Sequence, residues 1–288
     1  MAYLLAIGSA VLYGAADFTG GLTTRRAGTI PVVLLSQAAG LIMLALIMPL
    51  LPHASPARPD VLWGAAAGLS GGIGVALLYH ALATGTMAVV APTTAVCAVA
   101  IPVVVSVLLG ERPMPLAVAG IALGMVSIVL VSQQQEGAQP QQAEPGSPRS
   151  RQSGVGTALV AGIAIGVFLL SFAQAGSTAG MWPLLVARTV STTLFAVLAI
   201  AGGRSLRMPA QVTALVIFAG VMDMLANALY LLATRQGPLS IVVTLSSLYP
   251  ASTVLLARIV LGERLRPWQV TGVGCALAAV VLIVSGGR

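Results

Sequence analysis

The tetrapeptide Leu109-Gly110-Glu111-Arg112 returns as Leu261-Gly262-Glu263-Arg264, and the interval of 152 residues between the copies constrains the whole chain. Laying each residue on the one 152 positions later brings Pro115 onto Pro267, Val118 onto Val270, Gly120 onto Gly272, Gly85 onto Gly237 and Ala81 onto Ala233. Further upstream, Ala67-Gly68 falls on Ala219-Gly220, Pro31 on Pro183 and Gly14 on Gly166, with no gap required. A single ungapped offset that keeps matching Gly and Pro is the mark of an internal duplication. The chain reads as two copies of one unit.

The solvent of that unit follows from its composition. Hydrophobic residues make up 58% of the chain and charged residues 7%, with a mean hydropathy of +0.99, whereas soluble proteins carry roughly a quarter of their residues charged. Apolar segments of about 20 residues match the length a helix needs to cross about 30 Å of hydrocarbon. Period-two alternation is absent, which excludes an outer-membrane barrel. The fold class expected is therefore all-α, a polytopic membrane protein.

A net charge of +7 raises nucleic acid as a partner, but the fourteen basic residues are all Arg and nearly all of them sit singly or in pairs between apolar segments. The pattern of loop charge excludes nucleic acid and leaves the lipid bilayer and a small-molecule substrate as partners. Cys97 and Cys275 lie within apolar runs without a CxxC or Cys/His companion, so they read as packing residues, and neither a metal nor a cofactor is expected. The N-terminus lacks the basic n-region of a cleavable signal peptide.

Ten helices are predicted. The first five cover about Tyr3 to Gly20, Pro31 to about Pro49–Pro52, Val61 to Ala83, Met87 to Leu109 and Leu116 to Ser132. The second five cover Val155 to Gln174, Trp182 to Ala201, Pro209 to Ala233, Pro238 to Leu261 and Pro267 to Ser285. Residues 133–153 are polar and rich in Gln, Pro and Ser, a composition that cannot bury enough surface to order itself. The domains are thus a first repeat over 1–132, a flexible linker over 133–153 and a second repeat over 154–288. Five being odd, the copies must enter the membrane in opposite directions. Inverted repeats of this kind are built around a site near the midplane.

The Leu-Gly-Glu-Arg turns before helices 5 and 10, with Leu77 to Gly85, Val89-Val90-Ala91-Pro92-Thr93-Thr94 and their counterparts over 230–264, resemble the drug/metabolite transporter superfamily, specifically its EamA-type exporters. The resemblance spans the chain except the linker. It implies a multi-pass protein of the bacterial inner membrane that exports small metabolites by alternating access, nearest to exporters of amino acids, aromatic ones included. Family members commonly carry an Arg early in helices 2 and 7; this chain has Arg188 in helix 7 but Ser36 in helix 2. The small multidrug relatives use a Glu midway along helix 1, where this chain reads Leu12-Tyr13-Gly14-Ala15-Ala16-Asp17, a departure that counts against proton coupling by that route. The resemblance also places both termini in the cytoplasm, while the distribution of Arg among the loops favours the opposite orientation.

Charged side chains in a bilayer cost about 2.5–3.5 kcal/mol at a helix centre and so mark sites or paired structure. Arg188 and Asp223 lie about 17 residues, or about 26 Å, on either side of the turn near Ser205, and are expected to share a depth and to pair or face a cavity together. An ion pair that only fixes two helices is the bland alternative. Asp17 is a cavity candidate that could instead reach interfacial water, and Arg258 reads as a snorkelling side chain. Tyr13 completes the helix 1 candidates. Tyr79 and His80 in helix 3 and Asn227 and Tyr230 in helix 8 occupy near-equivalent places in the two repeats, suited either to a ligand or to helix–helix hydrogen bonding. In helices 4 and 9, Thr93, Thr94, Ser246 and Tyr249 supply further candidate cavity groups beside Pro92, Pro102 and Pro250, whose kinks are candidate gates.

The alternatives are a drug or quaternary-cation exporter, a flippase for lipid-linked substrates and, remotely, an intramembrane enzyme. Nothing resembling HExxH, paired catalytic Asp residues or a phosphate loop supports the last, and nothing resembles a channel filter. The oligomeric state stays open, with a monomer compatible.

Overall fold

The computed structural model describes residues 1–84, 87–132, 153–249, 251–252, 255–256, 259 and 267–286. They form helices α1 (Ala2–Ala27), α2 (Thr29–Ile47), α3 (Arg58–Thr84), α4 (Met87–Leu108), α5 (Pro115–Ser132), α6 (Ser153–Gln174), α7 (Trp182–Ala201), α8 (Ala210–Thr234), α9 (Leu239–Ser246) and α10 (Pro267–Gly286). No strand occurs among the described residues. Six helices there, α1 to α3 and α6 to α8, are long and apolar enough to cross a membrane, and α4, α5 and α10 contribute shorter apolar stretches. Outward positions such as Leu4, Leu46, Val104, Ile200 and Ile217 are exposed. A helix apolar on its outer as well as its inner face is at home only in lipid. The linker expected over 133–153 lies outside the described residues but for Ser153, which opens α6.

Two helices differ from expectation. The first does not stop at Gly20-Gly21 but runs to Ala27, since both glycines keep helical backbone, and along this stretch Thr19, Thr23 and Thr24 fold their hydroxyls back onto the carbonyls of Ala15, Thr19 and Gly20 at 2.7–2.9 Å. The chain reverses at Gly28, whose φ of 79° is open to glycine at little cost. The ninth does not continue from Pro238 to Leu261. Regular α-helix ends at Ser246, a turn at Ser247 and Leu248 follows, and helical backbone resumes at Tyr249. A proline at 250 has no N–H to offer the carbonyl of Ser246, and the bonding tightens accordingly: Leu248 N–H donates to Leu245 and Ala251 N–H to Leu248, three residues back.

Close packing is organised by small residues. In α3, a Cβ on Gly68 would collide with the backbone of Ala187 in α7, and one on Gly64 would stand 2.6 Å from the carbonyl of Pro183. In α8, a Cβ on Gly220 would collide with the backbone of Ser36 in α2. Without a hydrophobic drive between helices in lipid, such close backbone approach supplies the packing energy. The helices pack α1 on α8, α3 on α6 and α7, α2 on α7 and α8, α4 on α6, and α5 on α10. The last pair is tied by the Ser127 hydroxyl, which donates to Gly272 O at 2.8 Å. The short α9 touches α1, α4, α5 and α8.

The repeated tetrapeptide has a visible task in its first copy. Glu111 accepts the N–H of Leu239 at 2.6 Å and of Ser240 at 3.1 Å, so its carboxylate satisfies unpaired donors at the start of α9 and meets the positive end of that helix. Glu263, in the second copy, lies outside the described residues. Elsewhere, three loops are clasped. Asp60 accepts the N–H of Ala57 at 2.8 Å and of Gly176 at 2.7 Å, Arg235 donates to Gly180 O at 2.6 Å, and Trp182 Nε1 donates to Ala54 O at 3.1 Å. Burial holds the Arg235 guanidinium below its ordinary pKa, with the charge of Asp60 acting against the shift.

Candidate functional site

α7 and α8 bring Arg188 and Asp223 together. Arg188 is 5% exposed, and its guanidinium donates to the carboxylate of Asp223 and to the side-chain carbonyl of Gln37 on α2. Gln37 also accepts from the Ser191 hydroxyl, one turn after Arg188, at 3.3 Å. Asp223 in turn accepts from Asn227 Nδ2, at 2.7 Å through its backbone carbonyl and 3.3 Å through its side chain. The other end of the Asn227 amide accepts the Tyr13 hydroxyl from α1 at 2.8 Å. The result is a continuous polar chain across α2, α7, α8 and α1, inside a bundle whose core is mainly apolar. Burying an Arg is tolerable only when it is paired and hydrogen-bonded in this manner.

The polar chain lines a cavity of about 110 Å³. Asp17, Tyr249, Ser246 and Ser247 share its wall, and the opposite side is apolar, formed by Phe168 and Phe172 of α6 with Ile165, Leu184 and the glycines of α3. Phe168 and Phe172 stack edge to face at 4.9 Å between centroids, and Tyr13 meets Tyr249 in the same manner at 6.3 Å. One water needs about 10–15 Å³ on this measure. The space therefore suits a compound of a handful of heavy atoms. A larger recess of about 530 Å³ opens among Met1–Tyr3, Arg112–Met114 and Gln236–Pro238, at the end of the bundle where α9 begins. The chemistry resides in the smaller cavity, which joins opposite charges to an aromatic wall.

Of the candidates named from sequence, Tyr13, Asp17, Arg188, Asp223, Asn227, Ser246 and Tyr249 line the cavity. Two do not. Tyr230 is fully buried and donates to Leu169 O at 2.9 Å, stitching α8 to α6. Thr94 donates to Ala158 O at 3.1 Å and so bonds α4 to α6. Pro102 is buried within an unbroken α4 and shows no helix break. The side chains of Tyr79, His80, Pro92 and Thr93, and all of Pro250 and Arg258, lie outside the described residues. Gln37, Ser191, Phe168 and Phe172 were missed. Gln37 carried a signal, being an uncharged polar residue amid the apolar run of α2 and next to the repeat-mate of Arg188. Among the described residues, no cluster of three His, Cys, Asp or Glu side chains could hold a metal, and both cysteines are free.

The model of the EamA-like transporter family matches residues 1–133 and 152–285. No curated protein matches the chain. A solved structure described as "Crystal structure of protein" is similar over 100% of this chain and 97% of its own, with a TM-score of 0.74 at 16% identity, a likeness of fold.

Proposed function

The chain belongs to the EamA-like transporter family of the drug/metabolite transporter superfamily and is a multi-pass membrane transporter, and on that footing we propose that it exports amino acids or similar small metabolites by alternating access across the inner membrane of a bacterium. The observation that carries this reading is the cavity itself, where Arg188, Asp223, Gln37, Asn227 and Tyr13 form one hydrogen-bonded chain facing an apolar aromatic wall. Polar groups are placed at such cost inside a bundle where a polar solute must be held. The size of the cavity favours a metabolite over a lipid-linked headgroup.

Alternating access requires two related arrangements of one set of contacts. The packing supports a twofold relation between residues 1–132 and 154–288 as an inverted pair of five helices. α1 on α8 is matched by α6 on α3, and α2 on α8 by α7 on α3. The buried glycines repeat the match, since Gly68 against α7 and Gly220 against α2 are 152 residues apart. Rocking one half on the other would then exchange the side to which the cavity opens.

The test is counterflow in proteoliposomes loaded with a panel of amino acids and small metabolites, each with and without a pH gradient. Accumulation of at least one labelled solute above protein-free vesicles is expected. Failure across the whole panel would overturn the proposal in favour of a lipid-linked or larger substrate.

A further inference from the structure

The central cavity has a polar and an apolar side, and the duplication shows where they part. Tyr13, Asp223 and Asn227 line it, and so do the residues 152 positions away in the other copy, Ile165, Gly71 and Val75. In each pair one member is polar and its counterpart is apolar or has no side chain. Of the polar side chains on the wall, all but Gln37 come from α1, α7, α8 and the segment that begins with α9, while α3, α4 and α6 supply none. A solute with one polar end and one apolar tail has a single fitting orientation in such a space. A solute polar at both ends would press one of them against hydrocarbon without a hydrogen-bond partner.

One side chain closes the apolar side. α3 presents backbone rather than side chains to α6 at this level. Gly71 lies under the ring of Phe168, where an added Cβ would stand 2.6 Å from Cδ2 and 3.2 Å from Cγ and Cε2. Gly74 lies one turn on, where a Cβ would stand 2.7 Å from Cγ1 of Ile165. Phe172 meets the Phe168 ring edge to face at 4.9 Å. Phe172 is 1% exposed whereas Phe168 is half-buried, so Phe168 borders the free space and Phe172 backs it. Because Gly71 has no side chain to move up in its place, truncating Phe168 leaves a void, packed surroundings relaxing only in part. That void would join the cavity of about 110 Å³.

We infer that the transported solute carries a single polar end and a short apolar tail, and that Phe168, seated on Gly71, sets the length of tail the cavity accepts. This rests on the transport reading above and narrows it. Small aliphatic amino acids fit the description; aromatic ones exceed the space, and those with a charged side chain lack a partner for it.

The test is a ladder of solutes that share one polar end. Counterflow in proteoliposomes is measured below saturation with labelled alanine, valine, leucine and phenylalanine, and with glutamate and lysine as solutes polar at both ends. One methylene in an apolar pocket is worth about tenfold to two-hundredfold in kcat/KM, so at least one aliphatic member should exceed phenylalanine, glutamate and lysine by about tenfold or more. Phe168→Ala should raise the ratio of phenylalanine to that member by a similar factor, and Phe168→Leu should raise it by less. Such a ratio does not depend on how much folded protein each vesicle holds. Gly71→Ala should lower the ratio of leucine to alanine, since the displaced ring has the cavity beside it, and should do so far less in a Phe168→Ala background. Wild-type protein that carries phenylalanine, glutamate or lysine as fast as the aliphatic members would overturn the inference. So would Phe168 variants that keep the wild-type ratio, Phe168→Leu deciding if Phe168→Ala does not fold, or folded Phe168 variants that carry nothing, because a wider cavity does not exclude small solutes. An equal effect of Gly71→Ala in both backgrounds would overturn the seating of the ring. Counterflow of no member of the ladder also overturns the inference; the exporter reading falls only if the wider metabolite panel fails too.

Discussion

Gly220→Ala is the smallest change that probes how the bundle is held together. The new Cβ would collide with the backbone of Ser36 on α2, and Gly40 of the same helix already stands 3.1 Å by the same measure from the Gly220 carbonyl. Backbone cannot swing aside as a side chain end can, so α2 and α8 must separate. Overpacking of this kind costs about 1–3 kcal/mol, or roughly 2–12 °C in the unfolding midpoint at about 2–4 °C per kcal/mol. Gly274→Ala in α10 supplies the control, because nothing lies within 4 Å of its added Cβ; in a helix interior that substitution is neutral or favourable by up to about 1 kcal/mol. Gly68→Ala, the repeat-mate, should behave like Gly220→Ala, since its Cβ meets the backbone of Ala187. The assay is thermal unfolding of each purified variant in detergent, followed by a thiol-reactive fluorophore at Cys97 and Cys275. If Gly220→Ala unfolds at or above the midpoint of Gly274→Ala, the close backbone contact between α2 and α8 is not real and the reasoning fails.

Other expectations concern single bonds. Asp223→Ala strands the buried guanidinium of Arg188 on Gln37 alone; removing one partner of a buried pair costs about 3–5 kcal/mol, reduced to about 1–3 here because the Asp223 side chain is 33% exposed. A double-mutant cycle with Arg188→Leu should show strong coupling, and additive losses would contradict the pair. Tyr230→Phe should lower stability by about 1–2 kcal/mol through its lost bond to Leu169 O, yet leave substrate affinity unchanged, and a shift in apparent KM would return Tyr230 to the cavity. Glu111→Gln removes the charge that meets the start of α9 and should cost about 0.5–2 kcal/mol; an unchanged midpoint would show that the repeated Glu serves something other than this helix.

Much of this arrangement is legible in the residues before any coordinates. The duplication names Gly68 and Gly220 as equivalents, and both prove to be points of backbone contact. Counting outward from the turn near Ser205 places Arg188 and Asp223 at one depth, because helical rise is constant. Depth alone does not say which face of a helix a side chain occupies, and for that reason Tyr230 and Thr94 were assigned to the cavity while they bond neighbouring helices. Gln37 carries no formal charge to mark it in the sequence, yet its neutral amide accepts from the guanidinium of Arg188. The extension of α1 past Gly20-Gly21 is not legible because glycine permits a helix to end without requiring it, and the positive-φ glycine that ends this one is Gly28. The break after Ser246 is foreshadowed by Pro250, but a proline announces either a kink or an interruption, and the sequence alone does not choose between them.

The central claim is that the cavity beside Arg188 and Asp223 opens in turn to the two sides of the membrane. Ser247→Cys, in a background where Cys97 and Cys275 are replaced by Ala, puts a thiol on the cavity wall for a membrane-impermeant maleimide. Labelling in both right-side-out and inside-out vesicles, with protection by transported substrate in each, is the predicted result. A thiol that reacts from one side only, whatever solute is supplied, would contradict it.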